Sequence, residues 1–145
     1  MPGGSPGELA VTVSRFSITV DGVQVASFSE LVGISSEALP DDFAGRVLKK
    51  LPGKRTPPTV TLARGMTSDL GIFAWHQSVV EGQVAAARKN ADLVMFSATG
   101  DAVAKYHMEN SWPSKLVVEP SKSGSSGVLV ETVTFTSDRL VRVAP

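Results

Sequence analysis

Few side chains in this sequence are of the types that carry out catalysis. The 145 residues include two histidines and no cysteine. His76 falls on the apolar face of a predicted helix, where a histidine bonded within the core is more common than a general base. His107 alternates with Lys105 and Glu109 on the polar face of a predicted strand, which indicates a surface residue. Neither histidine has the spacing of a metal site, so we predict no catalytic residue, no metal and no cofactor.

Two short motifs resemble functional loops but lack essential positions. Gly53-Lys54 would end a phosphate-binding loop, yet Leu48 stands at its first glycine position and Arg55 at its serine or threonine position. The segment 124–127 is one residue too short for a nucleophile elbow, and no strand–turn–helix pattern surrounds it. Both segments are better explained as surface loops.

Length and charge exclude several other classes of function. A chain of 145 residues is long enough for one domain with its own core. Fourteen basic residues balance fourteen acidic ones, which argues against a general phosphate-backbone binder and permits self-association. No stretch approaches the roughly 18 apolar residues of a membrane span, so we expect no membrane insertion by the monomer. Residues 1–8 lack the pattern of a signal peptide, which predicts a flexible N-terminal arm, one domain over 9–145 and synthesis in the cytoplasm.

Alternation of apolar and polar residues predicts a mainly β fold. Phe16, Ile18 and Val20 alternate with polar residues and are followed by Asp21-Gly22, a strong signal for a hairpin with a type I′ turn. Further strands are predicted at 59–64, 93–96, 104–109, 116–118, 128–136 and 140–143. These strands predict a mainly β chain.

One flanking helix is predicted at about residues 68–81. Thr67 or Ser68 is a candidate cap, and Asp69 in the first turn suits the helix dipole. Gly82 is expected to end the helix, although Val84–Ala87 could add a turn. The predicted buried face comprises Ile72, Phe73, His76, Val79 and Val80.

Three further features define the expected architecture. Leu93–Phe96 is apolar on both faces and predicts a central strand covered on both sides. Trp112-Pro113 is expected to end a strand, because proline cannot donate to the ladder. Residues 35–57 form a long polar loop, for which a solvated surface loop and an arm ordered by a partner both remain open.

The predicted first and last strands, 16–20, 128–136 and 140–143, contain no proline that would block an exposed edge. Closure of the sheet within one chain is the simpler solution. The polar loop, the neutral charge and the missing catalytic set favour pairing with another copy instead. Copies joined head to tail form a ring when their rotation closes.

Several of these segments resemble the tail-tube proteins of contractile phages and the inner-tube proteins of phage-derived contractile injection systems. The resemblance covers nearly the whole chain after the N-terminal arm. It depends on residues 50–54, the strand 60–65, the helix with Trp75 and the later segment 110–115. Residues 38–45 depart from the more strand-like acidic stretch that is usual in the family.

The resemblance implies an antiparallel β-barrel or sandwich with one flanking helix, in a structural protein and not an enzyme. It implies six-membered rings whose adjacent strands form one continuous barrel, stacked into a hollow tube that is driven through a target envelope. Partners would be other copies, sheath, baseplate and cap proteins, and a cargo of effector protein or phage DNA. The tube would be assembled in the bacterial cytoplasm and reside in a phage tail or tail-like particle.

The resemblance also assigns roles to particular residues. Residues 35–54 would form the arm that contacts the next subunit and the next ring. Its charged contact residues would be Asp41, Asp42, Arg46, Lys49, Lys50 and Lys54. The structural motif residues would be Pro52, Gly53, Arg64, Gly65, Trp75, Trp112 and Pro113.

Two alternatives remain at this level. One is a tube-initiating baseplate ring protein of the same machine, which would form one ring and stop. The other is a small β-barrel enzyme or ligand-binding module built around His76 or His107.

Overall fold

The computed structural model describes residues 11–38, 56–122 and 127–145. These residues form a mainly β fold with two short helices, which confirms the predicted fold class. The N-terminal arm over residues 1–8 and most of the long polar loop lie outside the described residues. The elements are β1 (Arg15–Val20), β2 (Val23–Phe28), β3 (Glu30–Ser35), β4 (Thr59–Gly65), α1 (Gly71–Val80), α2 (Val84–Ala87), β5 (Lys89–Phe96), β6 (Ala102–Pro120), β7 (Leu129–Thr136) and β8 (Arg139–Val143).

All eight strands belong to one antiparallel sheet that is not closed. The strand order is β2-β1-β5-β6-β7-β4-β3, and β8 also pairs with β6. The long strand β6 divides the sheet, because Ala102–Ser111 pairs with β5 and β8 whereas Trp112–Pro120 pairs with β7. We call β2, β1, β5, β8 and the first part of β6 the five-stranded half. The second part of β6 with β7, β4 and β3 is the four-stranded half.

The two halves share one hydrophobic core. Ile18 and Leu93 from the five-stranded half are fully buried, as are Leu62 and Val133 from the four-stranded half. The aromatic rings of Phe28 and Phe135 meet edge to face with centroids 6.4 Å apart. Alternating inward residues on both halves therefore produce a sandwich whose ends are joined by the strand β6.

The hairpin signal at Asp21-Gly22 is confirmed. Asp21 has φ 54° and Gly22 has φ 79°, as a type I′ turn requires, and β1 pairs with β2 from Val20↔Val23 onward. The local sequence was sufficient here because the turn geometry depends on these two residues alone.

The predicted helix is present but shorter and differently oriented. Its N-cap is Leu70, whereas Thr67 and Asp69 form the preceding turn through Asp69 Oδ1, which accepts the Gly71 amide at 2.9 Å. Residues 84–87 form a separate helix, α2. Ile72 and Trp75 are buried, while the predicted core positions Phe73 and Val80 are exposed. None of the helices within the described residues is long and apolar enough to cross a membrane.

Three strand predictions were wrong in detail. The strand does not end at Trp112-Pro113 but continues through them to Pro120, with a register shift beside Pro113. Only one face of Leu93–Phe96 is fully buried, since Val94 and Phe96 are half-buried. The predicted edge strands β1 and β7 each lie between two neighbours, whereas β8 is an edge.

Candidate assembly surfaces and motif residues

Arg64 joins β4 to β2 at the place where the sheet does not close. Its Nε lies 2.9 Å from Glu131 Oε1, and the two side chains are 10% and 7% exposed. Its Nη1 donates to the Ser27 carbonyl at 3.5 Å, and its guanidinium carbon lies 4.8 Å from the centre of the Phe28 ring. Arg64 therefore bonds across the opening and occupies one acceptor on the outer edge of β2.

Gly65 ends β4 beside the start of β7. It pairs with Val130, and the amide of the next residue, Met66, donates to the Leu129 carbonyl at 3.1 Å. Gly65 has no positive φ, and there is open space where a Cβ would stand. Its position in the motif marks the end of the β4–β7 ladder.

Trp75 fixes both helices to the core. Its indole N–H donates to the Ala87 carbonyl at the end of α2, and its ring lies 5.8 Å from that of Phe135. The buried indole therefore has a hydrogen-bond acceptor as well as an apolar contact surface. This arrangement positions α1 and α2 against one end of the sandwich.

The segment from Asn110 to Pro113 bends β6 from one half of the sheet into the other. Asn110 has φ 49°, its amide N–H donates to Asn90 Oδ1 at 3.0 Å, and its side-chain amide donates to Asp138 Oδ2 at 3.0 Å. Asparagine tolerates this left-handed conformation better than most residues. The motif 110–115 is thus the bend at which β6 stops pairing with β5 and β8 and begins to pair with β7.

At this bend, Trp112 contacts Arg88, which follows α2, and Pro113 contacts His76 on α1. The Arg88 guanidinium lies 4.6 Å from the centre of the Trp112 ring and also 3.6 Å from the Asp138 carboxylate. His76 Nδ1 lies 2.7 Å from the Pro113 carbonyl oxygen. Proline is tolerated here because the ladder already shifts register beside it.

The two histidines lie in different environments and on different elements. His76 on α1 is half-buried and bonded to the Pro113 carbonyl, as expected for a histidine satisfied within the fold. His107 Nδ1 lies 2.7 Å from Asp92 Oδ1, while Lys105 Nζ is 4.0 Å from the other oxygen of that carboxylate. Across residues 11–38, 56–122 and 127–145, no group of three metal-ligating side chains occurs.

Two strand edges of the four-stranded half carry no pairing strand in the described part of the chain. β3 pairs only with β4, and its residue Val32 is 57% exposed. The stretch 115–120 of β6 pairs only with β7. An unpaired row of N–H and C=O groups is a template for a strand from another molecule.

Exposed apolar residues gather where β6 and β7 extend past the core, and sequence reasoning missed them. Met66 bonds to Leu129, which is opposite Pro120 in the β6–β7 ladder. Val118 and Leu129 lie on the core-facing side of these strands yet are 42% and 40% exposed. In the sequence Val118 and Leu129 are apolar residues of the kind that buried core positions carry. Their exposure is visible only in the structure, where β6 and β7 extend past the end of the core.

The charged residues assigned to the ring contact arm, with Pro52 and Gly53, lie outside the described residues. Their assignment therefore stays a prediction. These residues are Asp41, Asp42, Arg46, Lys49, Lys50 and Lys54.

Comparison with known proteins gives a family match and several similar structures. The family model for the T4-like virus tail tube protein gp19 matches residues 12–141. No curated protein sequence matches the chain.

Several solved structures are similar to this chain, and one of them is from an extracellular contractile injection system. A chain of the PVC sheath–tube complex in the extended state has a TM-score of 0.64 at 21% identity, covering 99% of this chain and 100% of that one. A chain of the anti-feeding prophage tube-terminating cap has a TM-score of 0.63 at 18% identity, covering 95% and 93%. Hcp1 from Flavobacterium johnsoniae has a TM-score of 0.52 at 16% identity, covering 90% and 95%. At these identities the likeness establishes a shared fold.

Proposed function

The chain belongs to the T4-like virus tail tube protein family, and we therefore propose that six copies form a ring and that the rings stack into a hollow tube. The family is one of structural tube proteins, so the expected role is mechanical and not catalytic. The tube conducts a cargo of effector protein or DNA and is driven through a target envelope. The single observation that carries this proposal is the family match over residues 12–141.

The unpaired strand edges support assembly between copies. β3 and the stretch 115–120 of β6 lie at opposite sides of the four-stranded half. A contact between two different edges is head to tail, and such contacts form a ring when the rotation between copies closes. Backbone hydrogen bonds between edges set the register, and exposed charge pairs add only about 0–1 kcal/mol each.

Partners are proposed from the assemblies in which similar chains occur. These are a sheath–tube complex, a tube-terminating cap and a baseplate. We therefore expect contacts with sheath, cap and baseplate proteins, assembly in the bacterial cytoplasm, and residence in a phage tail or tail-like particle. Residues 35–54 are proposed to contact the neighbouring subunit and the next ring.

Electron microscopy of the purified protein tests the proposal directly. We expect hollow tubes of variable length, built from rings with sixfold symmetry, at high protein concentration. A protein that stays monomeric at high concentration, and that is absent from sheathed particles of its host, would contradict it.

A second candidate is a tube-initiating ring protein of the baseplate. A chain of the anti-feeding prophage baseplate has a TM-score of 0.58 at 12% identity, covering 99% of this chain. An initiator forms one ring and stops, whereas a tube protein polymerises repeatedly. The same micrographs distinguish single rings from long tubes.

A further inference from the structure

Helix α1 carries apolar residues on its outer side as well as on its core side. Its ten residues include no Asp, Glu, Lys or Arg. Ile72 and Trp75 are buried against the core. Phe73, Val80 and the N-cap Leu70 are 49%, 62% and 71% exposed, and we call these three residues the helix stripe. A surface helix normally presents charged and polar residues on the side opposite the core, so the helix stripe has the composition of a covered surface.

The helix stripe lies on the flank of α1 that faces β6. Phe73 precedes His76 by three residues and Val80 follows it by four, so helical geometry places the three side chains on one flank. Leu70, three residues before Phe73, extends the stripe beyond the start of the helix. Because His76 Nδ1 lies 2.7 Å from the Pro113 carbonyl oxygen, the stripe borders the point at which α1 meets β6.

The Pro113 carbonyl belongs to the edge of β6 that faces away from β7. Backbone groups along β7 alternate between β6 and β4, and the hydrogen bond from the Ser121 amide to the Val128 carbonyl sets the phase. In that phase Phe135 directs its backbone groups to β4. Pro113 is opposite Phe135, so its carbonyl points away from β7. It therefore lies on the same edge as the stretch 115–120, which has no pairing strand in the described part of the chain.

A neighbouring copy that extends this edge arrives beside the helix stripe. Every pair in the four-stranded half is antiparallel, so β3 runs opposite to the second part of β6. Copies in a ring are related by rotation about its axis, so β3 of the next copy pairs with 115–120 in the antiparallel sense. The Ser35 end of that β3 strand then lies toward Lys115, on the side of α1. The exposed residues 36–38 that follow it continue past the helix.

We propose that the helix stripe is part of the ring contact and that the next copy of this chain covers it. The inference rests on the proposed ring and specifies a second contact surface beside the paired strand edges. Strand pairing supplies directed backbone hydrogen bonds and sets the register. The helix stripe supplies apolar area that leaves water only when two copies meet, which favours the ring over the free subunit.

Charged substitutions in the helix stripe test the proposal. Phe73→Lys with Val80→Lys places two charges on the stripe, and both positions are exposed in the subunit, so the fold should persist. The matched control is Ala74→Lys with Ser78→Lys, because these residues lie two positions before and after His76 and so do not share its flank. Ala74 is exposed, and the Ser78 hydroxyl donates to the Ala74 carbonyl at the helix surface. A second control, Phe73→Leu with Val80→Ile, keeps the stripe apolar.

Sedimentation velocity over a series of protein concentrations measures ring and tube formation, and circular dichroism checks the fold. We expect the lysine pair in the stripe to raise the concentration needed for half-assembly into rings by at least about tenfold. Both controls should assemble as the unsubstituted protein does. Val80→Lys alone repeats the measurement if the pair does not fold.

Three results would overturn the proposal while leaving the proposed function intact. Rings that form normally but do not stack would assign the stripe to the next ring. Tubes that form normally would place the stripe outside the contacts between copies. An equal loss of assembly in the Ala74→Lys, Ser78→Lys control would show that charge anywhere on α1 has this effect. Failure of the unsubstituted protein to form rings would instead overturn the proposed function itself.

Discussion

At the level of single residues, several of the motif residues connect one secondary-structure element to another. Arg64 connects β4 to β2, Trp75 connects the two helices to the core, and Asn110 turns β6 from one half of the sheet into the other. None of these roles needs a reactive group. Each depends on a shape or a hydrogen-bonding pattern that few other side chains provide.

Arg64→Met should lower the free energy of unfolding by about 3–5 kcal/mol, because it leaves the buried Glu131 carboxylate without its partner. The matched control is Arg139→Met, since Arg139 lies 3.1 Å from Glu109 but the two side chains are 65% and 39% exposed. That change should cost no more than about 1 kcal/mol. Urea unfolding of both variants measures the difference, and equal losses would contradict the role of Arg64.

Replacing both histidines tests the alternative of an enzyme or ligand-binding module. The variant His76→Gln with His107→Gln should assemble as the unsubstituted protein does, because a glutamine amide preserves hydrogen bonding toward Pro113 and Asp92. Tube yield is measured by sedimentation and microscopy. Normal folding combined with loss of assembly would contradict this expectation.

Among the secondary-structure elements, the turns set which strands pair within the sheet, and the edge strands are where another strand can be added. The β1–β2 turn needs two consecutive residues with positive φ, and the sequence supplies Asp21-Gly22. The edges, by contrast, are defined by which strands lack a neighbour in the folded chain. The sequence placed edges at β1, β7 and β8; β8 is an edge, but among the described strands β1 and β7 each lie between two neighbours and the other outer strands are β2 and β3.

Gly22→Ala should destabilise the subunit by about 1–2 kcal/mol, because the φ of 79° disfavours any residue with a Cβ. Gly33→Ala on β3 is the control, since Gly33 has no positive φ and no atom within 4 Å of the added carbon. Thermal and urea unfolding of the two variants should show a loss only for Gly22→Ala. A similar loss in both would indicate that the turn geometry is not the cause.

Val118→Pro should prevent tube formation while leaving the subunit folded. The Ser121 amide donates to the Val128 carbonyl, so alternation along the antiparallel ladder directs the Val118 amide away from β7 and toward the free edge. Proline removes that amide, whereas the control Val118→Thr keeps it and the branched shape. Circular dichroism checks folding, and microscopy checks assembly. Tubes of normal length from a folded Val118→Pro variant would exclude this edge from the ring contact.

As a whole, the described part of the subunit is a sandwich in which some strand edges carry no pairing strand. Arg64 and the helices pack against its core, while β3 and the end of β6 each have an edge with no pairing strand among the described residues. Exposed apolar residues at the β6–β7 end, such as Val118 and Leu129, add surface that a neighbour would cover. The described part of the chain therefore combines a packed core with unpaired strand edges, which is what the proposed assembly requires.

Deletion of residues 38–48 should abolish long tubes without unfolding the subunit. Ser35 and Thr59 are paired across β3 and β4, so a shorter connection still joins the two strands. Removal of the proposed contact arm should limit assembly to single rings or free subunits, as judged by negative-stain microscopy. Long tubes from the deletion variant would refute the role of the arm.

Local patterns in the sequence determined several features of the fold. The mainly β class, the hairpin at Asp21-Gly22 and the helix near 71–80 follow from periods of two and 3.6 residues and from a turn that only a few residue types adopt. The satisfied state of His76 followed from its position on the helix. These features depend on neighbours within a few residues, which the sequence displays directly.

The pairing of β6 with strands of both halves, and the surfaces that stay exposed, became visible only in the folded chain. The sequence cannot show that Pro113 lies where one strand changes partners, because that depends on hydrogen bonds to segments far away in the chain. For the same reason it could not distinguish the exposed Phe73 from the buried Ile72, or the inward face of a half of the sheet from its outward face. The direction in which a face points is set by the packing of the two halves against each other, and this is a property of the whole chain.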